Sequence, residues 1–222
     1  MKRRTIPLPF VEFIILMAFM VSLVAMSIDI MLPALSVIGN DLEVVNNTDT
    51  QYIVIALFFG FGFGQLLAGP LSDCFGRKPL IYCGFSIFIA GCLISMLAND
   101  FSMMLVGRVL QGIGAAGPRV IPIAIVRDRY SGRMMARVMS SIMAVFVLVP
   151  VLAPFIGQWL LFFAGWRSLF TFLLVVAFGT FFWFAVRQPE TLIPEKRQKL
   201  IFGNIFASIY EIFRSQSAIG YT

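Results

Sequence analysis

Gly69-Pro-Leu-Ser-Asp73-Cys-Phe-Gly76-Arg77-Lys78-Pro-Leu80 is a short polar break between two long apolar runs. A plain basic loop accounts for Arg77 and Lys78. It does not account for Gly69, Asp73 and Gly76 at their spacing. On either side the chain is built of the same material as those two runs. Crossing a bilayer takes about 20 mostly apolar residues, and six stretches qualify: 13–37, 51–71, 80–97, 101–126, 136–163 and 166–186. Of 222 residues, 59% are apolar, 13% are charged and 24 are phenylalanine. A water-soluble fold of this length has no interior large enough to hide that surface. The fold class is all-α integral membrane, a six-helix transmembrane bundle over residues 1–187.

The breaks between the runs sort by charge. One set holds Lys2, Arg3 and Arg4, then Arg77 and Lys78, then Arg127, Arg129, Arg133 and Arg137, then Arg187 and the tail. That set carries fourteen of the seventeen basic residues. The opposite set carries Asp41, Glu43, Asp49 and Asp100 and no basic residue. Basic loops stay in the cytoplasm, so the amino terminus and the segment after the sixth run are expected inside. The basic start precedes a run too long for a signal peptide, which reads as an uncleaved first span. Residues 188–222 read as a cytoplasmic linker with Pro189 and Pro194. Within it Ile201, Phe202, Ile205, Phe206, Ile209, Tyr210 and Phe213 recur at helical spacing, as in a helix lying on the membrane surface. Residues 218–222 look like the opening of a seventh span, which makes a fragment or a truncated reading frame the expectation.

Composition also excludes several functions. The net charge of +6 is spread over short loops, not gathered into a nucleic-acid groove. No histidine is present, and Cys74, Cys83 and Cys92 form no metal-ligand spacing. No nucleophile with a base suggests an enzyme. No metal and no bound cofactor are implied; the bilayer is the partner that composition demands.

Charged groups inside a span cost roughly 2.5–3.5 kcal/mol on insertion scales, and here they are few. Asp29 lies in the first run, Arg108 and Arg119 in the fourth. At about 1.5 Å per residue, Asp29 and Arg108 fall at similar depth, placed to pair. Arg119 lies close to three turns further, ~16 Å nearer the cytoplasm, and Gln111 is one turn from Arg108 on the same face. Without histidine, a coupled proton needs a carboxylate, and Asp29 is the only acid well inside a run. The plain alternative is a pair that only fixes helix packing.

Small residues form a second layer. The second run reads Gly60-Phe-Gly62-Phe-Gly64, the fourth Gly112-Ile-Gly114-Ala-Ala-Gly117-Pro118, and the fifth Pro150-Val-Leu-Ala-Pro154-Phe-Ile-Gly157. Such positions, with Pro33 in the first run, bend helices or let them slide; tight static packing is the competing reading.

The loop 69–80 resembles the signature G-x-x-x-D-R-x-G-R-R/K of the major facilitator superfamily, except that Cys74 stands where an arginine is usual. Ser27-Ile-Asp29-Ile-Met-Leu-Pro33 is similar to the first-span motif of drug/proton antiporters. Leu105-Val-Gly-Arg108-Val-Leu-Gln111-Gly112-Ile-Gly114 resembles the fourth-span motif, and Ala153-Pro154-Phe-Ile-Gly157 the end of the fifth. Gly165-Trp166-Arg167 and Gln188-Pro-Glu190-Thr-Leu192 are similar to the bicyclomycin/chloramphenicol-resistance (Bcr/CflA) group. The resemblance covers the first six of that family's twelve spans.

It implies half of a transporter fold, built of two inverted three-helix repeats, in a bacterial inner membrane. It implies a proton-driven antiporter for small amphipathic drug-like molecules, partnered by a carboxy-terminal half that is missing here. Asp29 and Arg108 would couple protons, Gln111 and Arg119 would line the substrate path, and Gly69, Asp73, Gly76, Arg77 and Lys78 would gate. A sugar or amino-acid exporter, or a non-transporting remnant, are the alternatives. With only one half present, Asp29, Arg108 and Gln111 are expected to face lipid or an open groove.

Overall fold

The computed structural model describes residues 9–192. The expected surface helix, the start of a seventh span, and Lys2, Arg3 and Arg4 lie outside the described residues.

Every regular element among the described residues is helical. The chain runs through α1 (Phe10–Asp29), a 3₁₀ turn (Leu32–Ala34), α2 (Leu35–Asp41), a second 3₁₀ turn (Asn47–Gln51), α3 (Tyr52–Phe75), α4 (Arg77–Met96), α5 (Phe101–Arg129), α6 (Gly132–Ala164) and α7 (Arg167–Arg187). These make six helices long and apolar enough to cross a membrane, the first being α1 and α2 together, Phe10–Asp41. All six match the runs read from the sequence.

The first span is not one straight helix. Pro33 has no amide hydrogen to donate and disfavours a helical residue before it, and α1 gives way to the 3₁₀ turn at Leu32–Ala34. Pro118 and Pro154 behave differently. Each lies inside a helix that continues past it, α5 and α6 respectively. The fifth span is longer than its apolar run because Gly132 to Met135 are also helical. At 33 residues it is ~50 Å long, against a hydrocarbon core of about 30 Å, so its basic first turns extend past the apolar layer.

Lipid tails are as apolar as leucine, so helices inside a membrane gain little by hiding apolar surface from them. Close packing and hydrogen bonds must join them. Helix α5 is the centre of that packing, pressed against α3 on one side and α4 on the other. The seams are glycine. A Cβ on Gly112 would collide with the Leu57 carbonyl oxygen, and one on Gly60 with that of Val109. Gly91 and Gly114 meet backbone atoms across the α4–α5 seam in the same way. Gly157 of α6 presses on the carbonyl oxygen of Ile30, at the break in the first span. Gly112 and Gly157 therefore serve close approach in this structure, and Gly117 has more room, with the Leu80 oxygen 3.4 Å from the place of a Cβ.

Candidate functional site

Arg108 is the largest side chain sealed inside the bundle, with no exposed surface. Its guanidinium joins three spans. Nε donates to the Ile53 carbonyl at 3.2 Å, Nη2 to the Ser27 carbonyl at 3.0 Å, and Nη1 to Gln111 Oε1 at 2.6 Å. Gln111 then donates from Nε2 to Cys92 Sγ at 3.1 Å. The ring of Phe170 lies 6.0 Å from the guanidinium carbon. This fork of donors explains an arginine here: it satisfies three acceptors on fixed geometry, which a lysine cannot do.

Two expectations fail at this point. No ion pair joins Asp29 to Arg108 among the described residues; the guanidinium is occupied by neutral acceptors. Its contact with Ser27 reaches the chain two residues before Asp29, so the depth was read correctly and the partner was not. Arg108 and Gln111 also do not face lipid or an open groove, since both are wholly buried. Helices of this chain supply their hydrogen bonds. Asp29 is half-buried and ends α1, immediately before the break.

Arg119 takes a separate place. It lines a cavity of about 620 Å³ between α3 and α5, together with Gln65, Gly69, Asp73, Arg77 and Asp128. Its guanidinium lies 4.8 Å from the centroid of the Phe146 ring, and its Nη1 is buried without a hydrogen-bond partner among the described residues. The stripe read along the fourth helix is thus divided. Arg108 and Gln111 are sealed, and Arg119 opens on the cavity.

The stretch 69–80, expected as a loop, is helical except at Gly76: it is the end of α3 and the start of α4, and its Gly69, Ser72, Asp73 and Arg77 line that cavity. Gly76 sits at φ +107°, ψ 158° between α3 and α4, a conformation essentially reserved for glycine. Gly69 is under no such demand, with nothing within 4 Å of the place of a Cβ. Arg77 Nη1 pairs with Asp73 at 2.6 Å and bonds Ser72 Oγ at 2.5 Å, while its Nε pairs with Asp128 at 3.2 Å. The carboxylate of Glu190 accepts from the amides of Arg77 and Lys78 at 3.1 and 3.0 Å. A negative group there complements the exposed N–H groups at the start of α4. Lys78 Nζ reciprocates, donating to the carbonyls of Ala185 and Gln188 at 2.9 and 2.8 Å near the end of α7.

The sequence put Asp73 and Arg77 together among the gating residues but gave no sign of Asp128 and Glu190 as partners. The nearest signal was Gln188-Pro-Glu190-Thr-Leu192, read as a family mark and not as a ligand for the loop. Cys74, in place of the usual arginine, is half-buried with a free thiol.

The bundle has relatives. The family described as "Major Facilitator Superfamily" matches residues 17–220. "Uncharacterized MFS-type transporter YdgK" of Bacillus subtilis is 32% identical over 212 residues, covering 92% of this chain and 52% of that protein. "Multidrug resistance protein D" of Escherichia coli is 32% identical, with 87% of this chain and 51% of that protein covered. The "Bicyclomycin resistance protein homolog" of Haemophilus influenzae is 30% identical, with 94% and 52% covered. Among solved structures, the human organic anion transporter MFSD10 (TETRAN) superposes with a TM-score of 0.67 at 21% identity, over 89% of this chain and 53% of that one. The chain spans about half the length of these relatives. Six packed spans, the Gly76–Arg77 turn and a match along most of the sequence lead to one statement: this chain is a member of the Major Facilitator Superfamily.

Proposed function

We propose that this six-span unit is one half of a proton-coupled antiporter that exports small, amphipathic, drug-like molecules. The observation that carries the reading is Arg108, a cation wholly enclosed among the apolar spans and held by neutral groups from three of them. Such a group is expensive to keep for packing alone. It lies at the level of Asp29, a carboxylate without an ion pair among the described residues, at the interruption of the first span. In this mechanism Asp29 takes and releases the proton. Arg108 sets the local field, and the break in the first span lets Asp29 change its exposure. Arg119 and the cavity beside it form part of the substrate path. Arg77, with Asp73, Asp128 and Glu190, latches the basic end, which faces the cytoplasm. A second six-span unit supplies the opposite wall, as alternating access requires. The names of the Escherichia coli and Haemophilus influenzae relatives favour drugs over metabolites.

The test is export in a pump-deficient host. The chain alone inserts but confers no resistance; co-expression with a matching second unit restores proton-driven efflux. In that assembly Asp29→Asn abolishes efflux while substrate still binds. Undiminished efflux by Asp29→Asn overturns the proton assignment, and efflux by the chain alone points instead to a working homodimer.

A further inference from the structure

We infer that the cavity beside Arg119 takes an amphipathic anion: a compact apolar body bearing a carboxylate, sulfonate or similar group. The inference rests on reading that cavity as the substrate path and names the substrate class.

Its volume, about 620 Å³, is in the range of small-molecule sites. Charge selects the ligand. Three arginines and two aspartates line it, Arg77, Arg119 and Arg127 against Asp73 and Asp128. Both aspartates are already engaged by one guanidinium, that of Arg77. Arg119 and Arg127 have no ion pair among the described residues. Arg119 is half-buried, its guanidinium lies over the Phe146 ring, and its Nη1 is out of water without an acceptor among the described residues. A partly desolvated donor of this kind is costly to leave unmade, and an anionic oxygen is the acceptor that restores most. Between Arg119 and Arg127 the wall is apolar, formed by Val120, Ile123 and Ala124. A cationic drug would meet Arg119 and Arg127, neither ion-paired among the described residues, and two carboxylates already paired with Arg77.

The experiment uses the full chain in membrane vesicles, with the three native cysteines replaced and Ile123→Cys as reporter. A neutral thiol reagent labels that cysteine in the presence of naphthalene-2-sulfonate or of 2-naphthyltrimethylammonium, which share one ring and differ in charge. The sulfonate should slow labelling, the ammonium should not, and Arg119→Gln should raise the sulfonate concentration needed by roughly tenfold or more, the worth of one charge-assisted hydrogen bond. Arg119→Lys, which keeps the charge, should restore part of the protection. A second measurement leaves Arg119 untouched. The reporter should prefer an anionic to a cationic methanethiosulfonate, relative to the ratio shown by a free thiol in solution. Equal protection by both naphthalenes, or no preference between the charged reagents, overturns the anion selectivity and leaves the substrate path standing. Rapid labelling that neither compound slows overturns both.

Discussion

Glu12 and Arg187 form a two-point pair across the bundle, with Nε to Oε1 at 2.7 Å and Nη2 to Oε2 at 2.6 Å. Trp183 Nε1 adds a third bond to the same carboxylate at 3.1 Å. The opposite end of the same two spans repeats the chemistry. Asp41 accepts from Trp166 Nε1 at 2.8 Å and from Arg167 Nη1 at 3.1 Å, while Arg167 Nη2 reaches the Ala98 carbonyl at 3.1 Å. One carboxylate, one tryptophan and one arginine thus fasten the first span to the sixth at each end.

The Glu12 clamp makes a claim about coupling. Glu12→Gln and Arg187→Gln should each lower the unfolding temperature of the purified chain in detergent. The double variant should be no worse than the more damaging single change, because both remove one interaction. Additive losses would show that the two groups act independently.

Glycine positions separate by what surrounds them. Gly112→Ala and Gly157→Ala force atoms into backbone of a neighbouring helix and should each destabilise by about 1–3 kcal/mol. Gly62, with nothing within 4 Å of the place of a Cβ, is the control. Alanine there should be neutral or stabilising by up to ~1 kcal/mol, the difference in helix propensity. Thermal unfolding in detergent reads all three, and equal effects would dismiss the glycine seams.

The two glycines of the stretch 69–80, Gly69 inside α3 and Gly76 between α3 and α4, should also part company. Gly76→Ala places a side chain at φ +107° and should cost on the order of 1–3 kcal/mol. Gly69→Ala should be tolerated. Limited proteolysis at the α3–α4 turn distinguishes them: only the Gly76 variant should be cut faster.

Arg108→Lys keeps the charge and loses the fork. It should leave one or two of the acceptors on Ile53, Ser27 and Gln111 unmatched, at about 1–3 kcal/mol each. A lysine variant that unfolds at the parental temperature would mean that charge alone, and not the three-way bonding, holds this position.

Orientation is open to direct labelling in a chain without its native cysteines. Val45→Cys, at a position 95% exposed in the acidic set of loops, should react with an impermeant thiol reagent in intact cells. Ser131→Cys, in the turn between α5 and α6, should react only after permeabilisation. The reverse pattern would invert the topology.

The six spans were legible because membrane solvation writes itself into long apolar runs. The turn at Gly76 was legible because glycine, acid and basic pair crowd into one short loop. The clamps were not. Glu12 stands just outside the first apolar run, Asp41 reads as one more acid in a loop, and Trp166 and Trp183 count as apolar residues. Their partners lie 125 to 175 positions away, and no local period encodes such a distance. Arg108 failed for another reason. A charge inside a span invites a search for the opposite charge, and main-chain carbonyls, present at every position, leave no mark in the sequence.

The interruption at residues 30–34 has a mechanical consequence. A rod pinned at both ends cannot slide along its neighbour or swing from one tip. It can only buckle, and buckling gathers where the rod is weakest in bending. Here that place lacks the regular ladder of main-chain bonds, abuts Gly157, and carries Asp29 on its shoulder. Any force that reaches the first span is therefore delivered as curvature to the few residues around that carboxylate.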